Sequence, residues 1–146
     1  MKRAMNGYTG FTLLELLIVL AIIGILLAVG LPNFNNWQIR NQVDNAAQQF
    51  ARDIDRQRIE TKRLNVSQAI NVLSSSSYMV GTATRTLPSG TTVVLNAVTM
   101  PNPLNFYPPY GTTDSNAPTY TIRSTTVPSI FRTVSIVSLL GKVIVK

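Results

Sequence analysis

An α+β fold, in which one long N-terminal helix packs its outer half on an antiparallel β-sheet head, is what this sequence predicts from three observations. From Phe11 to Leu31 only Thr12 and Glu15 carry polar side chains, and that run matches the ~20 residues a bilayer-spanning helix needs. Beyond Pro32 the apolar residues Ile39, Val43, Ala46, Ala47, Phe50, Ala51 and Ile54 recur at steps of three and four, the period of an amphipathic helix reaching to about Arg63 or Leu64. From Val66 onward β-branched residues and turn formers dominate, the composition of short strands. The expected organisation is a leader over 1–10, a membrane and assembly helix over 11–31, an amphipathic helix over 32–65 and a β-rich head over 66–146.

Composition bounds the function. The 146 residues leave room for one modest domain, and an apolar content of 45% with mean hydropathy +0.18 is high for a wholly soluble chain. Cysteine and histidine are both absent, which removes disulfides, thiolate nucleophiles, imidazole bases and the usual metal clusters. In residues 66–146 the only acidic residue is Asp114, so a catalytic carboxylate pair is missing there too, and no Gly-rich phosphate loop is present. Neither an enzyme, a cofactor nor a metal site is expected. The formal charge of +7 points to an anionic partner; removal of residues 1–10 would leave eleven basic residues against six acidic ones.

Lys2 and Arg3 precede the apolar run, and positive flanks stay cytoplasmic, so the chain from Asn33 onward belongs across the membrane. An ordinary secretory signal is the plain alternative, with Ala28-Val29-Gly30 as its small-residue cleavage site. The run exceeds an h-region of ~7–15 residues, however, and Glu15 sits inside it. An acid at depth in a bilayer costs about 2.5–3.5 kcal/mol, a burden that a disposable segment has no reason to carry. Cleavage after Gly10 would create an α-amino group on Phe11, and a carboxylate one helical turn away can pair with such a group on a neighbouring subunit.

The residues Gly10-Phe11-Thr12-Leu13-Leu14-Glu15, followed by Leu16-Leu17-Ile18-Val19-Leu20-Ala21-Ile22-Ile23, resemble the class III leader of type IV pilins and type II secretion pseudopilins. The resemblance implies cleavage between Gly10 and Phe11 by a prepilin peptidase, methylation of the Phe11 amine, and registration of each incoming subunit by Glu15. It also implies an inner-membrane assembly platform and other pilin subunits as partners, and an inner-membrane stage followed by a cell-surface or periplasmic filament. Pro32 falls where pilin helices commonly carry a proline. Arg40-Asn41, Asn45-Ala46-Ala47 and the stretch from Arg56 to Asn65 look like the H-type pseudopilins and FimT-like minor pilins, whose last hairpin commonly has a Gly followed by a basic residue, as Gly141-Lys142 does here. A minor pilin is the favoured placement; a DNA-binding competence pilin, a secretion pseudopilin and a major pilin are the alternatives.

Within the long helix, Pro32 lacks an N–H and crowds the carbonyl of Ala28, so a kink or local opening is expected over residues 24–32, with Gly24 and Gly30 nearby. Phe34 and Trp37 read as interfacial anchors. The charges beyond them suggest surface pairs three apart, Asp53 with Arg56, Asp55 with Arg58 and Glu60 with Arg63.

In the head, strands are predicted near 66–73, 77–80, 91–99, 119–124, 130–137 and 142–146. Ser74 to Ser77 and Leu87-Pro88-Ser89-Gly90 read as hairpin turns, and residues 100–118, rich in proline, as one long irregular loop. Arg85, Arg123, Arg132, Lys142 and Lys146 are the head's cations and the candidate contacts to double-stranded DNA, since phosphate recognition requires spaced Lys and Arg. For FimT-like proteins the basic residues beside the terminal hairpin glycine are associated with DNA capture, which makes Lys142 the leading candidate by resemblance.

Overall fold

The computed structural model describes residues 11–94, 102–113 and 118–146, the side chains of residues 31 and 32 excepted. The expected leader with Gly10, the far half of the strand predicted at 91–99, and Asp114 lie outside the described residues. The chain divides into two compact units, Met1–Trp37 and Gln38–Lys146.

Helix α1 runs from Leu13 to Leu64, 52 residues. Thr12 caps it: the Thr12 hydroxyl accepts the backbone N–H of Glu15 at 3.2 Å, and the Thr12 carbonyl accepts that of Leu16. Thr12 and Glu15 thus stand at the first and fourth positions of a capping box. At the other end Lys62 and Arg63 lie in the last turn, where cations offset the unpaired carbonyls. Asn65 then leaves the helix at φ 52°, the left-handed conformation that asparagine tolerates at such ends.

In the second unit Val43, Ala46, Ala47, Phe50 and Ile54 are fully buried, one face of α1 as the spacing predicts. The strands of this unit are β1 (Gln68–Val72), β2 (Ser77–Val80), β3 (Ala83–Thr86), β4 (Thr91–Val94), β5 (Leu104–Tyr107), β6 (Thr112–Thr113), β7 (Thr119–Ser124), β8 (Phe131–Ile136) and β9 (Val143–Val145). They form two antiparallel sheets, one ordered β3-β2-β1-β5-β6 and the other β4-β7-β8-β9. Phe50 joins both, its ring edge-on to Tyr78 of β2 at 4.9 Å and to Tyr120 of β7 at 5.2 Å. Burying a side chain of this kind contributes about 1.5–3 kcal/mol, and each aromatic edge contact about 0.5–1.5 more.

Three expectations for the head are corrected. The single sheet is two. The segment Leu87–Gly90 does turn, with Gly90 at φ 80° and the Thr91 N–H donating to the Pro88 carbonyl, but it carries the chain from one sheet to the other instead of closing a hairpin. Residues 100–118 are not one irregular loop, because β5 and β6 pair within them. Leu104 and Phe106 alternate inward in the period of a strand, a signal hidden by prolines on both sides. The exposed edge strand β3 was also unpredicted: none of its four side chains is buried, so it carries no alternation to read.

Candidate functional site

The apolar segment from Phe11 to Val29 is exposed throughout, and its hydropathy and length suffice to cross a membrane. Glu15 stands near its start, with its backbone N–H held by Thr12. Helix N-terminal amides carry partial positive charge, so a carboxylate there is stabilised where an isolated one would be costly. The helix assignment is unbroken over residues 24–32. An added Cβ would meet nothing within 4 Å at Gly24 or Gly30. Since Pro32 supplies no N–H, the Ala28 carbonyl lacks its usual helical donor. One residue on, the Asn33 side-chain amide donates to the Val29 carbonyl at 3.3 Å. Phe34 and Trp37 lie with ring centroids 5.7 Å apart, both exposed.

In the second unit the five head cations do not form one patch. Arg85 lies 3.6 Å from the carboxylate of Asp53, which also accepts the Tyr78 hydroxyl at 2.7 Å. Asp53 therefore turns inward and does not serve a surface pair with Arg56. Burial, then the hydrogen bond and charge of Asp53, push the Tyr78 phenol well above its ordinary range. Arg132 pairs with Asp44 of α1. It also shares a groove with Arg40, Phe131 and Lys146. Arg123 is exposed on β7 beside Thr92 and Val94.

Lys142 opens onto a separate groove of about 550 Å³, lined with Arg58, Lys62, Tyr110, Ser138 and Leu140. Arg58 is drawn here by the Leu140 carbonyl, which it meets at 3.1 Å, so the surface pair expected with Asp55 gives way to a tertiary bond. Of the three expected helix pairs, Glu60 with Arg63 forms, at 2.6 Å. Two glycines at positive φ let the turns approach α1 this closely. A Cβ on Gly111 (φ 66°) would lie 2.8 Å from Arg58 Cγ and 3.0 Å from the Arg58 carbonyl oxygen, and one on Gly141 (φ 72°) 2.9 Å from Arg58 Cδ. The Thr113 N–H donates to the Leu139 carbonyl at 3.0 Å, tying the two turns together. The contributions of Arg40, Arg58 and Lys62 to these grooves were missed from sequence, because a helical spacing cannot tell which charges face a groove and which face solvent. Among the described residues no group of acidic side chains is placed to hold a metal.

A family model described as the prokaryotic N-terminal methylation motif matches residues 5–31. Over this amino-terminal segment the chain is similar to fimbrial and type IV pilin proteins. Similar relatives include a fimbrial protein of Moraxella nonliquefaciens, 55% identical over 42 residues, and one of Pseudomonas aeruginosa, 47% identical over 47 residues. A type IV major fimbrial protein of Dichelobacter nodosus is 59% identical over 34 residues. These matches cover 29%, 32% and 23% of this chain and 27%, 30% and 22% of the relatives, so the chain spans under a third of the proteins it matches. No solved structure matches. Each of these relatives is a fimbrial protein by name.

Proposed function

We propose that this chain is a filament subunit of low copy number, a minor pilin. Before assembly it waits in the inner membrane by residues 11–31. A prepilin peptidase removes residues 1–10, the Phe11 amine is methylated, and an assembly platform lifts the subunit among other pilins. In the filament Glu15 is neutralised by a neighbour's Phe11 amine. The observation that carries this reading is the coincidence of the methylation motif at residues 5–31 with an apolar helix holding one carboxylate at its capped start. The minor placement rests on the resemblance of the outer helix and the Gly141-Lys142 hairpin to H-type and FimT-like proteins. Relatives named as major pilins match over 34 to 47 residues, under a third of this chain.

The test is Glu15→Ala in cells carrying the rest of the filament machinery. The variant is expected to be cleaved at Gly10–Phe11 but poorly incorporated into sheared filaments, as read by mass spectrometry of the N-terminal peptide and of copy number. Normal incorporation of Glu15→Ala would refute the assembly role, and a high copy number of the unaltered chain would refute the minor placement.

A second reading, capture of double-stranded DNA, is favoured by the groove at Lys142, where Arg58 and Lys62 add charge and no acid lines the wall among the described residues. Phosphate contacts of this kind give an affinity that falls steeply with salt. Binding indifferent to both salt and Lys142→Ala would remove it.

A further inference from the structure

We propose that the groove at Lys142 grips DNA as a single strand, with Tyr110 as the ring on which an unpaired base stacks. The proposal rests on the nucleic-acid reading above and narrows it to ends and opened stretches, where bases are free. Every residue involved belongs to the second unit. The groove, about 550 Å³, takes Arg58 and Lys62 from α1, Tyr110 from the turn between β5 and β6, and Ser138, Leu140 and Lys142 from the turn between β8 and β9. Tyr110 is 69% exposed. Its turn is nonetheless held, because the Gly111 N–H donates to the Tyr107 carbonyl at 2.8 Å, and Pro108 and Pro109 fix two φ angles ahead of it. Lys62 and Lys142 are exposed and in no ion pair among the described residues. Arg58 is pinned to the wall by the Leu140 carbonyl, and its Nε is buried without a hydrogen-bond partner.

The occupant follows from how closely the ring and the cations are set. A Cβ on Gly111, the residue after Tyr110, would lie 3.1 Å from Lys62 Cε, and one on Gly141, the residue before Lys142, would lie 3.2 Å from the Gly111 carbonyl oxygen. Both lysines are thus rooted beside the turn that carries Tyr110. A nucleotide needs that neighbourhood, because its phosphate and its base hang from one sugar. Grooves that hold single strands combine the same parts, cations along the backbone path and an aromatic face for the base. An intact duplex can use the cations but not the ring, since its bases are stacked on one another and show only their edges in the grooves. The volume lies within the ~300–1,000 Å³ of clefts that enclose a small ligand, which suits an inserted nucleotide, whereas the rod of a duplex would rest on the rim. An acidic peptide or polysaccharide would meet the charge and leave Tyr110 without an aromatic partner.

The full chain in nanodiscs of phosphatidylcholine, a lipid without net charge, supplies the test. Binding of a fluorescently labelled oligodeoxythymidylate is followed by anisotropy, with relaxed closed-circular duplex as competitor at equal nucleotide concentration. The circle is expected to compete far less well than the unlabelled oligomer. Tyr110→Ala should weaken the oligomer about tenfold through the loss of one stacked base, which is about 1.4 kcal/mol, and leave the weaker binding of the circle unchanged. Tyr110→Phe keeps the ring and should bind as the unaltered chain does. Lys62→Gln with Lys142→Gln should flatten the dependence of log Kd on log salt by about 1.4, two single-strand contacts at about 0.7 each. All three side chains are exposed, and circular dichroism confirms that the variants fold. Salt-dependent binding of both DNAs that ignores Tyr110→Ala would overturn this inference and leave the nucleic-acid reading standing, as would a circle that competes as well as the oligomer. Binding of neither DNA by the folded chain would overturn both. Displacement by polyglutamate or dextran sulfate as effective, charge for charge, as by the oligomer would overturn the inference and assign the groove to anions at large.

Discussion

Replacing Gly111 by alanine tests whether the close approach of its turn to α1 holds the head together. At φ 66° an alanine incurs the left-handed penalty of about 1–2 kcal/mol. Its Cβ would also lie 3.0 Å from the Arg58 carbonyl oxygen, a backbone atom inside a helix that cannot yield as a flexible side chain does. Overpacking of that kind costs about 1–3 kcal/mol, for a total of about 2–5. Gly81 supplies the matched control. It shares the positive φ, at 60°, but the atoms facing its Cβ begin at 3.5 Å and belong to glutamine side chains, so Gly81→Ala should cost only the conformational part. The assay is thermal unfolding of residues 38–146, a compact unit with its own core. At about 5 °C per kcal/mol for a domain of this size, Gly81→Ala is expected to lower Tm by about 5–10 °C and Gly111→Ala by about 10–25 °C. A Gly111→Ala variant no less stable than Gly81→Ala would show that the turn does not press on the helix, and the packing argument would fail.

The Tyr78 phenol is raised by burial and by Asp53, so its neutral form is favoured in the folded head. That stabilisation is complete below the ordinary phenol range near pH ~10 and is lost as pH rises above it, by about 1.4 kcal/mol per unit. Urea unfolding of the head at successive alkaline pH values should show this decline, and Tyr78→Phe should remove it; equal slopes in the two proteins would contradict the burial argument. Thr12→Ala removes the hydroxyl that receives the Glu15 N–H and should cost the first helical turn about 1 kcal/mol. Faster amide exchange at Leu14 and Glu15 in detergent micelles reads it, and unchanged exchange there would dismiss the cap.

What was legible in the sequence was periodicity. Val43, Ala46, Ala47, Phe50 and Ile54 face the core because a helix repeats at 3.6 residues whatever surrounds it, and the terminal hairpin pairs β8 with β9 as its alternation indicated. The split into two sheets was not legible. It depends on where Leu87–Gly90 sends the chain, and turn residues specify a reversal without specifying the partner strand. The grooves were hidden for a related reason. Arg58 binds a carbonyl 82 residues away and Arg132 a carboxylate 88 away, and charge spacing along a helix predicts only its local neighbours.

The bond from Arg58 to Leu140, with that from Thr113 to Leu139, also imposes a timetable. Arg58 of α1 finds its carbonyl 82 residues further along the chain, and Thr113 of β6 bonds the residue before that one, Leu139, so neither bond can form until the turn between β8 and β9 exists. Contacts of such long sequence separation form late and slowly.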